Sequence, residues 1–302
     1  MTAYPHLFSP LDLGGVKLRN RVAHASVVTR FVANGQASDN LLNYLGSRAR
    51  GGAGMIITEP VAMITANQDP YRLRAYDDGG MDSLPRLAAA VEEHDCRLLG
   101  QVQDPGRGRH ELGRNDGAIG VSALPDDLSW TVPHVLSAGD IRRAIEQWAQ
   151  GSRRLQKAGF AGVELSAGHG HLLHQFLSPW SNRRDDAYGG DPERRTQFMR
   201  ELITAIRAEC GRPFIIGIKL PADDGVADSI NMQLARDIAT RLAATGELDF
   251  WSWCWGSHAN SLWTHLPDAH GERAPYMQAI HELSQIEPSI ATCTLGYMTD
   301  PN

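Results

Sequence analysis

Seven strand–helix beginnings are countable along this chain, each a short apolar run ending in polar or small residues, set between stretches whose apolar residues recur at helical spacing. Segments alternating in this way build parallel βαβ units, because a strand regains the direction of the previous one only through a crossover. The apolar runs fall at residues 22–26, 55–59, 97–102, a fourth from Gly162, then 214–219, 249–255 and 289–295. Helical spacing falls at 40–49, 81–93, from Ser137 onward, 191–210, 231–244 and 274–286. With 302 residues the chain is long for an ordinary domain and normal for one α/β barrel, so a single domain over 1–302 is expected. The expected fold is an α/β barrel of the (β/α)8 TIM type, incomplete at about seven units because an eighth strand and helix are not countable. Such a barrel leaves two strand edges unpaired, which makes a homo-oligomer an expectation.

Local signals support the individual elements. Ser137 as N-cap with Asp140 three residues on predicts a helix start, followed by Ile141, Ile145, Trp148 and Leu155 on one face. Residues 7–18, with Gly14 and Gly15 at the turn, read as a hairpin able to plug a barrel floor. Along 249–255 the alternation puts Trp251, Trp253 and Trp255 on one face and Phe250, Ser252 and Cys254 on the other. The Gly- and Pro-rich stretch 108–133 is long for a structureless connection and is expected to be a lid over the mouth.

Composition narrows the function classes. Hydrophobic content of 42% and charged content of 21% are those of a globular protein. A net charge of −6 without any Lys/Arg run argues against a nucleic-acid partner. No apolar stretch nears the roughly 20 residues of a membrane span, and residues 1–10 lack a signal layout, so no membrane partner and a cytoplasmic location are expected. Cys96, Cys210, Cys254 and Cys293 are far apart with no CxxC spacing, so they are expected as buried thiols and no metal site is expected from them.

The chemistry concentrates in residues 162–190, where the fourth strand ends in Ser166, Ala167 and Gly168 and is followed by His169, His171 and His174. In a parallel barrel the loops at the carboxyl ends of the strands bring side chains from several strands to one mouth. A neutral imidazole accepts a proton from an amine or hydroxyl, and an imidazolium polarises a carbonyl, so His169 and His171 suit proton transfer in either direction. H-x-H-x-x-H is also a pattern that can ligate zinc, but no carboxylate or cysteine is interleaved with it.

Gln175, Phe176, Leu177, Asn182, Arg184, Asp186, Tyr188, Gly189 and Gly190 resemble the Gln-Phe-Leu and Asn-x-Arg-x-Asp-x-Tyr-Gly-Gly pattern of the old yellow enzyme family of FMN-dependent oxidoreductases. The nearest likeness is to its trimethylamine dehydrogenase and N-methyl-amino-acid demethylase branch, shortened at the C-terminal side. The resemblance implies FMN as cofactor, with Gln101 and Lys219 at the flavin pyrimidine edge, Ala25 and Ser26 as backbone contacts and Gly296 in the phosphate loop. His169, His171 and Ser166 take the catalytic positions, Ser166 where the family has its first histidine and His171 where it has a proton-donating tyrosine. Val28 stands at the flavin-tuning Thr or Cys position, facing substrate, and Tyr297 stands where a phosphate-binding arginine is usual. Trp251 matches a tryptophan that contributes to an aromatic bowl around a methylammonium substrate. Arg184, Asp186 and Tyr188 are expected to form a structural cluster, and Glu59 and Glu164 to pair with arginines such as Arg107.

The function these features imply is an FMN-dependent oxidoreductase moving hydride between flavin and a small molecule, such as an N-methylated amine or amino acid undergoing oxidative demethylation. NAD(P)H or an electron-transfer protein is the implied redox partner. Two alternatives stay open: an NAD(P)H-dependent ene-reductase, and a degenerate flavin-free barrel acting as a non-redox enzyme, binding protein or subunit.

Overall fold

A computed structural model describes residues 4–66, 69–108, 117–127, 129–257 and 261–298. Seven parallel strands form its central sheet: β1 (Ala23–His24), β2 (Met55–Ala62), β3 (Arg97–Val102), β4 (Gly162–Ser166), β5 (Ile215–Asp223), β6 (Phe250–Trp255) and β7 (Ala291–Cys293). They neighbour one another in chain order, the arrangement of an α/β barrel, and a two-residue strand, Leu73–Arg74, extends the sheet at the end of β2. The crossovers carry helices α1 (Asp39–Arg50), α2 (Leu84–Glu92), α3 (Ala138–Lys157), α4 (Gln197–Cys210), α5 (Met232–Ala243) and α6 (Met277–Ser284). The expected capping box forms at α3, where Ser137 Oγ accepts from the Asp140 amide and Asp140 accepts from the Ser137 amide.

Two strands run further than their apolar runs imply. β2 continues past Glu59 through Pro60 to Ala62, with its register shifting between Ile57 and Pro60. β5 continues past Lys219 through Pro221, with a shift between Pro221 and Asp223. Proline has no N–H for the ladder, so each strand carries it at an irregularity and lengthens toward the mouth. At the other extreme β1 and β7 contain only two and three paired residues.

Side chains on the inner faces make a small interior core: Met55 and Ile57 of β2, Leu99 of β3, Ile215 of β5 and Phe250 of β6. Leu13 and Leu18, from the antiparallel hairpin Leu11–Leu13 and Val16–Leu18, close it from below as the expected floor plug. Gly217 admits the Phe250 ring, because a β-carbon there would stand 1.9 Å from it. The outer faces bury a larger apolar core against the helices. Ala23 of β1 and Ala291–Cys293 of β7 line one cavity of about 400 Å³ beside the hairpin. The sheet thus curls until its two end strands face each other across that space.

Arg184, Asp186 and Tyr188 form the expected cluster. Arg184 pairs with Asp186 and donates to the carbonyls of Val121 and Leu136, while the Tyr188 hydroxyl donates to Glu201. Cys96, Cys210 and Cys254 are buried free thiols, whereas Cys293 on the edge strand is half-buried. Burial pushes the Cys96 thiol up to about 12. Among the described residues no helix is long and apolar enough to cross a membrane.

Candidate active site

The carboxyl ends of the strands open into a cavity of about 570 Å³. Its wall contains Ala25, Ser26 and Val28 after β1, Gln101 near the end of β3, Ser166 ending β4 with His169 and His171 in the loop that follows, and Lys219 of β5. All eight were expected at the site from the sequence, and the fold brings them to one mouth. Leu295 also lines it, and Gly296 follows directly in a positive-φ turn (φ +106°).

Beneath the mouth runs a buried polar chain. Ser26 Oγ donates to Gln101 Oε1 at 3.0 Å, and Gln101 Nε2 donates to Glu164 Oε1 at 2.8 Å. That same carboxylate oxygen lies 3.2 Å from Lys219 Nζ. Glu164 alternates with Val163 and Leu165, so strand period puts it in the barrel interior, where an acid is tolerated only with partners. Burial opposes the charge on Lys219, yet Glu164 holds its pKa above the ordinary lysine value. The expectation that Glu164 and Glu59 pair with Arg107 is corrected here. Glu164 takes Lys219 and Gln101, Glu59 accepts from Thr29, and Arg107 pairs with Asp127 and lies over the Trp180 ring. Register explains this, since Glu164 and Lys219 sit on adjacent strands and Arg107 leaves the barrel with the loop after β3.

The three histidines divide. The rings of His169 and His171 both face the mouth, 6.5 Å apart and nearly perpendicular. His169 adopts φ +62° between two glycines, and Gly168 is needed there because a β-carbon would meet Cys254 Sγ at 2.5 Å. His174 instead rides the short helix Leu172–Leu177 toward the loop after β5, where its Nε2 lies 2.9 Å from Asp224 Oδ2. The three imidazoles therefore do not converge as a ligand set. Burial alone would raise the Asp224 carboxyl, but His174, the Ser229 hydroxyl and the Ile230 amide together hold it below the usual carboxylate range.

Trp251 is a second correction. It is fully buried and packs beside Trp253, with ring centroids 5.9 Å apart, in the core between sheet and helices. Phe250 occupies the barrel interior, so strand alternation turns Trp251 outward, away from the mouth. The lid expectation falls partly on 109–116 and 128, outside the described residues. Gly108, Asp126 and Asp127 from that loop line a smaller cavity that shares His169 with the mouth.

Mouth residues that the sequence did not announce include His265, whose ring centroid is 3.7 Å from that of His169. Arg30 and Arg72 also line the wall. The Arg30 guanidinium is 5.9 Å from the Tyr71 ring centroid, and Arg72 bonds Gln103 and Asp69. No local pattern marks them, because each reaches the mouth from a separate loop.

The donor set at the floor, a buried ammonium, an amide and a hydroxyl, fits the carbonyl acceptors and N–H of a flavin pyrimidine edge. Glu164 Oε2 is a buried acceptor with no hydrogen-bond partner among the described residues, which leaves an acceptor in the same set. The residues present therefore suit FMN at the floor.

A model of the NADH:flavin oxidoreductase / NADH oxidase family matches residues 6–261. The N,N-dimethylglycine/sarcosine dehydrogenase of Chromohalobacter salexigens is 31% identical over 259 residues, covering 82% of this chain and 36% of the relative. A NADPH dehydrogenase of Geobacillus sp. is 30% identical over 297 residues, covering 97% of this chain and 83% of the relative. A solved 2-naphthoyl-CoA reductase complex superposes with a TM-score of 0.91 at 22% identity, covering 99% of this chain and 47% of that one. The chain spans about a third of the length of several curated relatives that it matches.

Proposed function

The chain belongs to the NADH:flavin oxidoreductase / NADH oxidase family, and from that premise we propose that it is an FMN-dependent oxidoreductase oxidising a small N-methylated amino acid. The observation that carries this reading is the convergence of His169 and His171 with Ser26, Gln101 and Lys219 on one cavity of about 570 Å³. Lys219 and Gln101 would hold the pyrimidine edge of FMN, with Ala25 and Ser26 along the ring and the Gly296 turn toward the phosphate. When bound, FMN supplies the acceptor for a hydride from the substrate.

His169 and His171 hold the substrate and manage its proton. A neutral imidazole takes the proton of a substrate ammonium, leaving a free amine lone pair to stabilise the carbon that loses hydride. Ser166 adds a hydroxyl at the strand end, and Val28 gives the rim an apolar contact. Lys219 keeps its charge through Glu164 and so offers fixed positive potential where negative charge develops. With Trp251 turned outward, no tryptophan bowl favours a simple methylammonium ion. Arg30 at the rim offers a cation for a carboxylate, while Arg72 beside it is engaged by Asp69 and Gln103; this supports an amino acid over a plain amine. The sarcosine-type relative agrees with this choice.

A second reading, reduction of an activated alkene by NAD(P)H, is favoured by the NADPH dehydrogenase relative and by the missing bowl. In it the same imidazoles hold the substrate carbonyl and His171 delivers the proton.

The test is the visible spectrum of the purified protein before and after incubation with FMN and desalting. Retained flavin absorbance that bleaches anaerobically with sarcosine or N,N-dimethylglycine supports demethylation. Bleaching with NAD(P)H alone, followed by reoxidation with an enone, supports the second reading. A protein that stays colourless and is not thermally stabilised by FMN overturns both and leaves a flavin-free barrel.

A further inference from the structure

His174 is the one histidine of the cluster that the mouth does not use, and its surroundings are built for charge. It is 5% exposed, and its Nε2 lies 2.9 and 3.1 Å from the two oxygens of Asp224, which is 0% exposed. Asp224 also accepts from the Ser229 hydroxyl and the Ile230 amide, so the carboxylate is saturated on that side. The other ring nitrogen, His174 Nδ1, is buried without a hydrogen-bond partner among the described residues. Such an atom is costly to bury unless water or another hydrogen-bond donor meets it.

His174 and Asp224 line a partly open cavity of about 30 Å³. That is room for on the order of two waters, at ~10–15 Å³ each. His169 borders both this cavity and the mouth, and its Nδ1 faces the Gly256 carbonyl at 3.4 Å beside Ser257 of the cavity wall. One imidazole therefore stands between the substrate space and a buried His–Asp pair.

We propose that His174 and Asp224 form a proton-holding dyad beside the mouth, joined to His169 through water in the smaller cavity. The role rests on the oxidoreductase reading above. The substrate N–H bond breaks as an N–H bond forms on His169. His169 releases the proton on its other nitrogen to a cavity water, and that water delivers a proton to His174 Nδ1. The end state is an imidazolium against the Asp224 carboxylate, so no unpaired charge is left in the interior. No electrons move in this step; the electron pair leaves the substrate with the hydride, for which FMN would be the acceptor when bound.

The charged and titratable groups around the cavity set the dyad's behaviour. Arg107, Asp126 and Asp127 face it from the loop after β3, His169 from the loop after β4, and Asp224 from the loop after β5. Arg107 is engaged by Asp127. Asp224 is the carboxylate in contact with His174. A merely structural pair would tie the loops after β4 and β5 without coupling to His169.

The test compares the full-length wild type with His174→Gln, which keeps a hydrogen-bonding side chain beside Asp224, and with the double variant His174→Gln/Asp224→Asn, which removes the buried charge if the single variant folds poorly. Nitrogen-15 NMR of histidine-labelled protein follows His169 through pH 5–9, and a high-resolution crystal structure locates cavity water. Coupling predicts that the His169 titration moves by on the order of one pH unit when His174 is lost. It also predicts water within hydrogen-bonding distance of His174 Nδ1. An unmoved His169 titration or a dry cavity overturns the relay. If the protein binds flavin, anaerobic reduction by sarcosine should slow roughly 10²-fold in the folded variant and recover with added imidazole buffer. Slowing without imidazole rescue assigns His174 to structure alone. A colourless protein with intact His169–His174 coupling would instead fail the oxidoreductase reading and leave the dyad standing.

Discussion

Lys219 Nζ lies 3.2 Å from Glu164 Oε1, both side chains being buried on neighbouring strands under the mouth. Two charges taken out of water roughly balance each other, whereas removing one leaves the other exposed to the full cost of burial, about 3–5 kcal/mol. Lys219→Met is therefore expected to lower Tm sharply and abolish FMN retention. Lys219→Met/Glu164→Gln should regain most of the Tm without regaining flavin. Thermal melts paired with flavin titration check this, and FMN binding in the double variant equal to wild type would remove Lys219 from the cofactor site.

His171→Phe keeps a ring of similar size at the mouth but removes the proton carrier. FMN content is expected to stay unchanged while turnover falls about 10²- to 10⁴-fold, the usual range for a general acid or base. Single-turnover flavin reduction measures it, and full activity would exclude His171 from the chemistry.

Trp251→Ala is expected to act on stability and not on substrate recognition. Emptying a buried tryptophan site costs about 3–5 kcal/mol, so the urea midpoint should fall steeply. Trp251→Phe, which keeps most of the volume, should retain wild-type KM. A selective rise in KM at normal stability would restore Trp251 to the substrate site.

Asp224 has a depressed pKa in the fold, so at acid pH the unfolded chain binds more protons than the folded one. Its contribution is complete above the unfolded value near 3.8 and is lost as pH falls through the lower folded value. Lys219 has the opposite sign: its pKa is raised, so its contribution holds below about 10.5 and is lost as pH climbs above that. Urea midpoints between pH 3 and 7 should fall on acidification in the wild type and do so less steeply in Asp224→Asn. Parallel curves would contradict the assignment.

Ser137→Ala removes the side-chain half of the capping box at the start of α3, leaving the Ser137 amide bonded to Asp140. The expected loss is about 1 kcal/mol, read as a lower Tm with flavin content unchanged.

Much of the fold was legible because its signals are local. Strand runs, helix faces, the cap at Ser137 and the hairpin at Gly14 and Gly15 depend on residues close in the chain, and each element formed where its pattern lay. The proline-bearing extensions of β2 and β5 were not legible, since a strand with an irregular register depends on its neighbours for pairing. At the mouth, the histidines at the fourth strand end marked His169 and His171 in advance, and the resemblance to the old yellow enzyme family marked Ser26, Gln101 and Lys219; all lie at strand ends, which in a parallel barrel converge at one face.

What the residues alone determined was which side chains share a strand face or a loop. Alternation grouped Trp251 with Trp253 and Trp255, and spacing grouped His169, His171 and His174. Only the tertiary structure decided where each group points. Phe250 fills the barrel interior and turns the tryptophans outward, and Asp224, from a different strand end, draws His174 away from the mouth. Orientation depends on what lies across the sheet or in the next loop, and that is supplied by packing between segments far apart in the chain, where the free energy of burying a ring or pairing a charge is settled.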